Sequence, residues 1–172
     1  MFPMLGSSAH VKVRRSKAAD AAALAQVFGD SWRLAYRGII PHLHLENLIQ
    51  RRGVGWWKSA LRAQEPILVL EAGGTLAGYA TFGTARTRGP YRGEIYELYL
   101  APNYQGLGLG EYLFEACRYE LDLRRLDGLL VWALADNTPA MDFYWRRGGR
   151  PIARAFDRIG GAKLEKIAFA WP

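Results

Sequence analysis

Residues 104–110, with the sequence YQGLGLG, join a segment with the pattern of a strand to one with the pattern of a helix. The strand segment, residues 94–100, is mostly aromatic and aliphatic. In the helix segment apolar side chains recur every four positions, at Leu109, Leu113, Cys117 and Leu121. Glycines at such a junction let successive N–H groups point at an anion, and the helix start adds partial positive charge. The junction therefore predicts a phosphate-binding loop of a size that suits a pyrophosphate.

The other patterns along the chain complete an α/β protein. Helical spacing of apolar residues covers about 18–36, 43–64, 108–124 and 138–147. Strand patterns cover 11–14, 67–71, 76–84, 94–100, 128–133, 151–156 and 163–171. This order predicts a mixed, mostly antiparallel central sheet of about seven strands flanked by helices, with a right-handed crossover at the glycine loop.

Length and composition limit the class of protein. A chain of 172 residues that is 50% hydrophobic and 13% aromatic is expected to form one folded domain, over residues 10–172. Residues 1–9 lack the pattern of a signal peptide and are expected to be a disordered N-terminal end. The single cysteine, Cys117, excludes an internal disulfide and favours a cytoplasmic location.

The net charge of +7 favours an anionic partner such as a polyphosphate. The arginines are scattered, and no zinc-finger or RNA-binding signature accompanies them, so nucleic acid is not expected as the main partner. No apolar run approaches the roughly 18 residues of a membrane span, so no membrane association is expected.

The spacing of the glycine loop distinguishes it from two common nucleotide loops. It does not end in Gly-Lys-Ser/Thr, and Glu111 stands where a dinucleotide fingerprint requires its third glycine. The spacing is Gln-x-x-Gly-x-Gly, with Gln105, Gly108 and Gly110, after a strand that ends Leu-x-Leu-x-Pro at Pro102. This combination resembles the signature of the GNAT family, the GCN5-related N-acetyltransferases.

A second segment strengthens the resemblance. Residues 137–149, NTPAMDFYWRRGG, are similar to the later GNAT motif, with Asn137, Ala140, Phe143, Tyr144 and Gly148 in place. The resemblance implies the acyl-CoA N-acyltransferase fold, an N-acetyltransferase activity, acetyl-CoA as co-substrate and no metal.

The resemblance also implies a cofactor-binding set. The main chain of Leu98 and Leu100 is expected to pair with the pantetheine arm. The loop residues are expected to hold the pyrophosphate, chiefly through backbone amides: Gln105, Gly106, Gly108, Leu109, Gly110 and Glu111. Asn137 is expected to contact the pantetheine arm, the alternative being that it only stabilises the start of a helix. For Gln105 the alternative is a cap on the turn.

Three catalytic residues are predicted. Tyr144 carries over from the family as the acid that protonates the departing thiolate. Glu94 and Glu97 are the candidate bases, directly or through a water. Strict alternation would put them on opposite sheet faces, with Glu94 on the face of Leu98 and Leu100. The alternative is that either glutamate only pairs with an arginine.

The sequence constrains the acceptor substrate less than it constrains the cofactor site. Trp32 and Tyr36 lie four residues apart on one helical face and are candidate substrate-binding residues, with core packing as the alternative. A small-molecule primary amine or amino-acid-like acceptor is expected. Alternatives are a protein N-terminus or lysine as acceptor, or a CoA-binding regulatory module without turnover. A homodimer formed through the strand of residues 167–171 is also possible.

Overall fold

The computed structural model describes residues 10–172, so the predicted disordered end at residues 1–9 lies outside the described part of the chain. No helix of the described part has the length and apolar character needed to cross a membrane. Short 3-10 turns cover Ala18–Asp20 and Pro102–Tyr104. The helices are α1 Ala21–Tyr36, α2 His42–Arg51, α3 Val54–Arg62, α4 Gly110–Leu123 and α5 Thr138–Arg146. The strands are β1 Val11–Arg15, β2 Ile67–Ala72, β3 Thr75–Thr84, β4 Gly93–Leu100, β5 Leu129–Leu134, β6 Arg150–Ile159 and β7 Ala162–Trp171.

The seven strands form one sheet in the order β1-β2-β3-β4-β5-β7-β6. All neighbours are antiparallel except β4 and β5, which are parallel because the glycine loop and α4 connect them as a crossover. The predicted mixed, mostly antiparallel sheet is therefore confirmed. Helices α4 and α5 cover one face, where Leu113 and Phe114 pack on Ile95. Helices α1 to α3 cover the other face, where Phe28 and Trp57 pack near Tyr79.

The centre of the sheet opens into a wedge. Strands β4 and β5 pair only at Gly93–Leu129 and Glu94–Leu130. Beyond those pairs β4 continues to Leu100 beside β3, while β5 continues beside β7. The backbone of β4 after Glu94 consequently has a side without a strand partner in residues 10–172, as a cofactor that binds like an added strand requires.

A β-bulge at Tyr96 shifts the side-chain alternation along β4. The register on β3 passes from Phe82–Ile95 to Thr81–Glu97, so Tyr96 is the extra residue. Ile95 therefore shares the α4 face with Leu98 and Leu100. The sheet face predicted for Glu94 is wrong, whereas that predicted for Glu97 is confirmed: both glutamates lie on the opposite face from Leu98 and Leu100, because the extra residue adds one step to the alternation between them.

Strand β7 lies inside the sheet. It pairs with β5 along Leu129–Leu134 and with β6 on its other side. The strand of residues 167–171 is therefore not available to pair with a second copy, contrary to the expectation from sequence. The free edge at this end of the sheet belongs to β6, whose side chains are mostly exposed.

Candidate active site

A cavity of about 660 Å³ occupies the wedge between β4 and β5. Its walls come from the C-terminal half of α1, from β4, the glycine loop, β5 and α5. Eleven of the sequence-predicted site residues line it: Tyr36, Glu97, Leu98, Leu100, Gln105, Gly106, Gly108, Leu109, Gly110, Asn137 and Tyr144. Glu94, Glu111 and Trp32 are outside its lining.

The glycine loop has a backbone that presents donors to this cavity. Gly106 and Gly108 have φ of 74° and 78°, in the left-handed region that favours glycine. The N–H groups of Gly106, Gly108 and Leu109 donate to no atom of the described residues. Helix α4 begins at Gly110, so its first N–H groups also lack intrahelical acceptors. Together these donors form an arrangement suited to an anion.

Two neighbouring contacts fix the ends of the loop. The Gln105 side-chain amide donates to the Leu100 carbonyl at 3.0 Å and so ties the loop to the end of β4. A Cβ at Gly110 would lie 3.0 Å from the Phe143 ring, which means that α5 approaches the start of α4 closely. Glycine at this position allows the loop and α5 to share one wall.

Arg147 places positive charge beside the start of α4. Its guanidinium lies 3.8 Å from the centre of the Phe143 ring, and its Nη2 is 3.7 Å from a carboxylate oxygen of Glu111. Its Nε is buried and has no hydrogen-bond partner in the described part of the chain. The pair neutralises the Glu111 side chain, which would otherwise repel an anion bound at the loop.

Asn137 caps helix α5 and also lines the cavity. Its Oδ1 accepts from the Ala140 N–H at 3.4 Å, and Pro139 lies in the first helical turn. Its side-chain N–H₂ is not used by that contact. The two alternatives considered from sequence, helix cap and ligand contact, are therefore compatible in one residue.

Tyr144 is almost fully buried but borders the cavity. It packs in an aromatic cluster with Phe143 and Trp171, at ring-centre distances of 5.3 and 6.0 Å. Within residues 10–172 no hydrogen bond to its hydroxyl is found. Burial raises the pKa of Tyr144 above its ordinary value, so the phenol keeps its proton.

Glu94 is fully buried, and its carboxylate is hydrogen-bonded by Arg86. One carboxylate oxygen accepts the Arg86 main-chain N–H at 2.9 Å, and the other accepts the Arg86 guanidinium at 2.7 Å. Its carboxylate thus holds the loop between β3 and β4 in place. The same pairing raises the pKa of Arg86, chiefly through the hydrogen bond to Glu94.

Glu97 lines the cavity at the bulge in β4. Arg52 donates to both of its oxygens, at 2.8 and 3.0 Å. The hydroxyl of Tyr79 donates to the same carboxylate at 3.0 Å and that of Thr81 at 3.4 Å. The carboxylate is therefore held in one orientation by four donors, the weakest of which is Thr81.

The two predicted substrate residues differ in placement. Tyr36 lines the cavity, and its hydroxyl is 2.8 Å from that of Tyr99. Burial raises the pKa of Tyr36, and hydrogen bonding to Tyr99 and Asn137 opposes that increase. Trp32 packs between the rings of Phe28 and Tyr36, at 4.9 and 4.8 Å, in the core beside the cavity.

Several cavity-lining residues were not predicted from sequence. They include Leu34, Tyr96, Trp132, Asp136, Arg146 and Arg147. Tyr96 and Trp132 each lie two residues beyond the last β4–β5 pair, facing the start of the wedge. Only the pairing register of the two strands indicates that Tyr96 and Trp132 line the cavity. The Arg-Arg pair within the second motif was the one sequence feature that marked Arg146 and Arg147.

The described residues offer little support for a metal-dependent reaction or for a cysteine nucleophile. No group of three or more His, Cys, Asp or Glu side chains within residues 10–172 is arranged to hold a metal ion. Burial raises the pKa of the Cys117 thiol to about 12, so it carries almost no thiolate at neutral pH. Cys117 therefore does not serve as an acyl-accepting nucleophile.

Comparison with known proteins identifies this arrangement. The sequence model of the Acetyltransferase (GNAT) family matches residues 26–149. The uncharacterized N-acetyltransferase YuaI of Bacillus subtilis is 31% identical over 164 residues, which are 94% of this chain and 93% of YuaI. The chain belongs to the GNAT family. It is accordingly an N-acetyltransferase, and acetyl-CoA is the co-substrate.

Two further proteins are similar to this chain. The L-amino acid N-acyltransferase MnaT of Escherichia coli is 30% identical over 104 residues, 60% of this chain and 58% of MnaT. The PaiA N-acetyltransferase of Thermoplasma acidophilum, solved with coenzyme A, superposes with a TM-score of 0.73 at 18% identity, covering 94% of this chain and 99% of PaiA. The second similarity establishes a shared fold.

Proposed function

We propose that this GNAT protein transfers an acetyl group from acetyl-CoA directly to the primary amine of a small molecule, within a ternary complex. The observation that carries the proposal is one cavity that joins the glycine loop, the unpaired side of β4 and the Tyr144 hydroxyl. The donors of the loop suit the pyrophosphate, and the open side of β4 suits an amide-containing arm.

The proposed cofactor contacts follow from these donors. Main-chain N–H groups of Gly106, Gly108, Leu109, Gly110 and Glu111 would hold the pyrophosphate, with Gln105 fixing the loop and Arg147 adding charge. The main chain of Leu98 and Leu100 and the side-chain amide of Asn137 would hold the pantetheine arm. When bound, acetyl-CoA supplies a thioester whose carbonyl an amine attacks.

The residues around the reacting atoms have separate tasks. A main-chain N–H of the Leu98–Leu100 segment would stabilise the oxyanion, and holding both reactants in line would supply much of the acceleration. The new C–N bond forms, the C–S bond breaks, and Tyr144 gives its proton to the departing thiolate. The neutral phenol enforced by burial is the form that this step needs.

For the proton that leaves the amine, Glu97 is the better placed of the two predicted bases. Glu97 lines the cavity, whereas Glu94 is fully buried, is bonded to Arg86 and does not line the cavity. The weak 3.4 Å contact from Thr81 makes Oε1 the oxygen with a lone pair that a water can reach. We therefore propose transfer to Glu97 through a water, with Arg52 keeping the carboxylate oriented.

Other acceptors and roles remain as alternatives to be tested. The name of MnaT makes L-amino acids a candidate acceptor class for this chain. A protein N-terminus or lysine is the macromolecular alternative. A CoA-binding regulatory module is the non-enzymatic alternative within the same fold, but the cavity-facing Tyr144 supports turnover.

The glycine loop provides the first prediction. Gly108→Ala is expected to weaken acetyl-CoA binding by about tenfold or more, because a methyl group at φ 78° strains the loop and displaces its donors. The dissociation constant is measured by isothermal titration calorimetry.

Gly74→Ala is the matched control. Gly74 has φ of 80° in the β2–β3 turn, and at Gly74, as at Gly108, an added Cβ would meet no atom within 4 Å. Both variants should lose similar stability, of about 1–2 kcal/mol. Equal acetyl-CoA affinity in the two variants would contradict the proposed role of the loop, and absence of binding by the unchanged protein would contradict the proposed function.

Location and assembly are proposed on narrower grounds. The single cysteine, buried and free, fits a reducing compartment such as the cytoplasm. A homodimer stays a prediction, and β6, the edge strand at the same end of the sheet as β7, is the strand through which we propose that it forms.

A further inference from the structure

The end of the cavity opposite the glycine loop has walls that are largely apolar. We call the part lined by Ser31, Leu34, Ala35, Tyr36, Tyr96 and Trp132 the acceptor end. It lies between the last turns of α1 and the point at which β4 and β5 separate. If acetyl-CoA occupies the glycine loop and the β4 edge, as proposed above, the second substrate enters here.

The two rings of the acceptor end are held by the last residue of β3 and by the loop between β3 and β4. The Tyr96 hydroxyl donates to the Thr84 carbonyl, and the Trp132 indole N–H donates to the Thr87 hydroxyl at 3.3 Å. The polar atom of each ring is thus used outside the cavity. What remains for a substrate is the apolar body of a phenol and an indole.

The cations near these rings are all committed to carboxylates. Arg86 lies over the Tyr96 ring at 4.4 Å and pairs with Glu94 at 2.7 Å. Lys166 lies over the Trp132 ring at 4.9 Å and pairs with Asp157 at 3.3 Å. Neither cation lines the cavity, and the cations that do, Arg146 and Arg147, belong to the C-terminal end of α5 beside the glycine loop.

The carboxylates of the cavity include one that no cation pairs with in the described residues. Glu97 pairs with Arg52, and Asp142 pairs with Arg146 at 3.0 Å. Asp136, at the end of β5, lines the cavity without an ion pair in the described part of the chain. A carboxylate carried by the acceptor would thus lose water without meeting a free cation, whereas an ammonium group would meet a free carboxylate.

From these contacts we infer that the acceptor is a primary amine on an aromatic or aliphatic body that carries no carboxylate, such as an arylalkylamine. The ring packs against Tyr96 and Trp132, and the unpaired charge of Asp136 on the same cavity favours an ammonium over a carboxylate group. The ammonium group first releases one proton to solvent, and the neutral nitrogen then attacks the thioester carbonyl. As the C–N bond forms and the C–S bond breaks, the nitrogen gives a second proton through water to Glu97 and the thiolate takes the proton of Tyr144. Transfer of the Glu97 proton through water to the Tyr144 oxygen restores both side chains. The products are an N-acetylated amine and free CoA.

Matched substrate pairs test this inference, because they differ only in the carboxylate. Thiol release from acetyl-CoA is measured with tryptamine against L-tryptophan and with 2-phenylethylamine against L-phenylalanine. Each amine is expected to have a kcat/KM at least about tenfold higher than its amino acid. Equal or better use of the amino acids, no release with either amine, or better use of a peptide N-terminus would overturn the inference.

Two variants locate the effect at the acceptor end. Trp132→Ala is expected to raise the KM for tryptamine about tenfold while the dissociation constant for acetyl-CoA stays unchanged. Trp145→Ala is the control, because Trp145 is an exposed tryptophan of α5 outside the cavity lining. An unchanged KM in Trp132→Ala would also overturn the inference. Acetyl-CoA binding, measured separately, distinguishes failure of this inference from failure of the proposed function.

Discussion

Replacing Tyr144 by phenylalanine is expected to lower kcat about 100-fold or more, the contribution typical of a positioned general acid. The ring fills the same space in the aromatic cluster, so the change removes one hydroxyl that borders the cavity and makes no hydrogen bond in the described residues. Acetyl-CoA affinity should stay unchanged, because the proposed role concerns the leaving thiolate. Steady-state thiol release and calorimetric binding check the two parts.

The pH dependence should follow the direction of the Tyr144 pKa. Burial raises that pKa, so the protonated form persists to higher pH than for a free phenol, and this acid is lost only as the pH rises through the raised value. No decline of kcat attributable to Tyr144 is therefore expected between neutral pH and about pH 10.

The control for Tyr144→Phe is Tyr119→Phe, which removes the hydroxyl of an exposed tyrosine on α4. Its kcat should equal that of the unchanged protein. If Tyr144→Phe also kept full kcat, the thiolate would have to take its proton from elsewhere, and the role assigned to Tyr144 would be wrong.

The second large effect is expected on stability. Arg52 lies against the rings of Phe28 and Trp56, at 4.1 and 4.0 Å, while both of its terminal nitrogens bond Glu97. Arg52→Met should keep much of the packing and leave the Glu97 charge without its partner. Because breaking a partly buried ion pair from one side leaves a poorly solvated charge without its partner, we expect the free energy of unfolding to fall by about 2 kcal/mol.

A second forked ion pair supplies the comparison. Arg33 bonds both oxygens of Glu46 at 2.9 and 3.0 Å, but on the surface, with more than a third of each side chain exposed. Arg33→Met should cost less than about 1 kcal/mol, since exposed pairs contribute little. Urea denaturation of both variants measures the difference. Equal losses would mean that burial does not set the value of the Arg52–Glu97 pair.

The local patterns of the sequence predicted most of the fold. Alternation and helical spacing depend on neighbours along the chain, so the strands and the helices could be predicted from the sequence. The glycine loop and the motif around Tyr144 were readable for the same reason, because each motif is one continuous segment.

Relations between distant segments were decided by tertiary structure. The bulge at Tyr96 is invisible in the residue pattern, and it placed Glu94 and Glu97 on the same face. Strand order placed β7 between β5 and β6, which the chain order of two terminal strands did not specify. In both cases pairing to a partner strand, not the strand's own residues, determines which groups are free.

The sequence by itself determined the glycine loop that suits a phosphate and, through the family resemblance, pointed to Tyr144 as the proposed acid, because each lies in one continuous segment. Only the tertiary structure decided which carboxylates are free. Glu94 is bound by Arg86, Glu97 by Arg52, and Asp136 by no cation of the described chain. An ion pair between residues far apart in the chain exists only after folding has brought the partners together. The charged residues in the sequence therefore do not specify which carboxylates at the site are left unpaired.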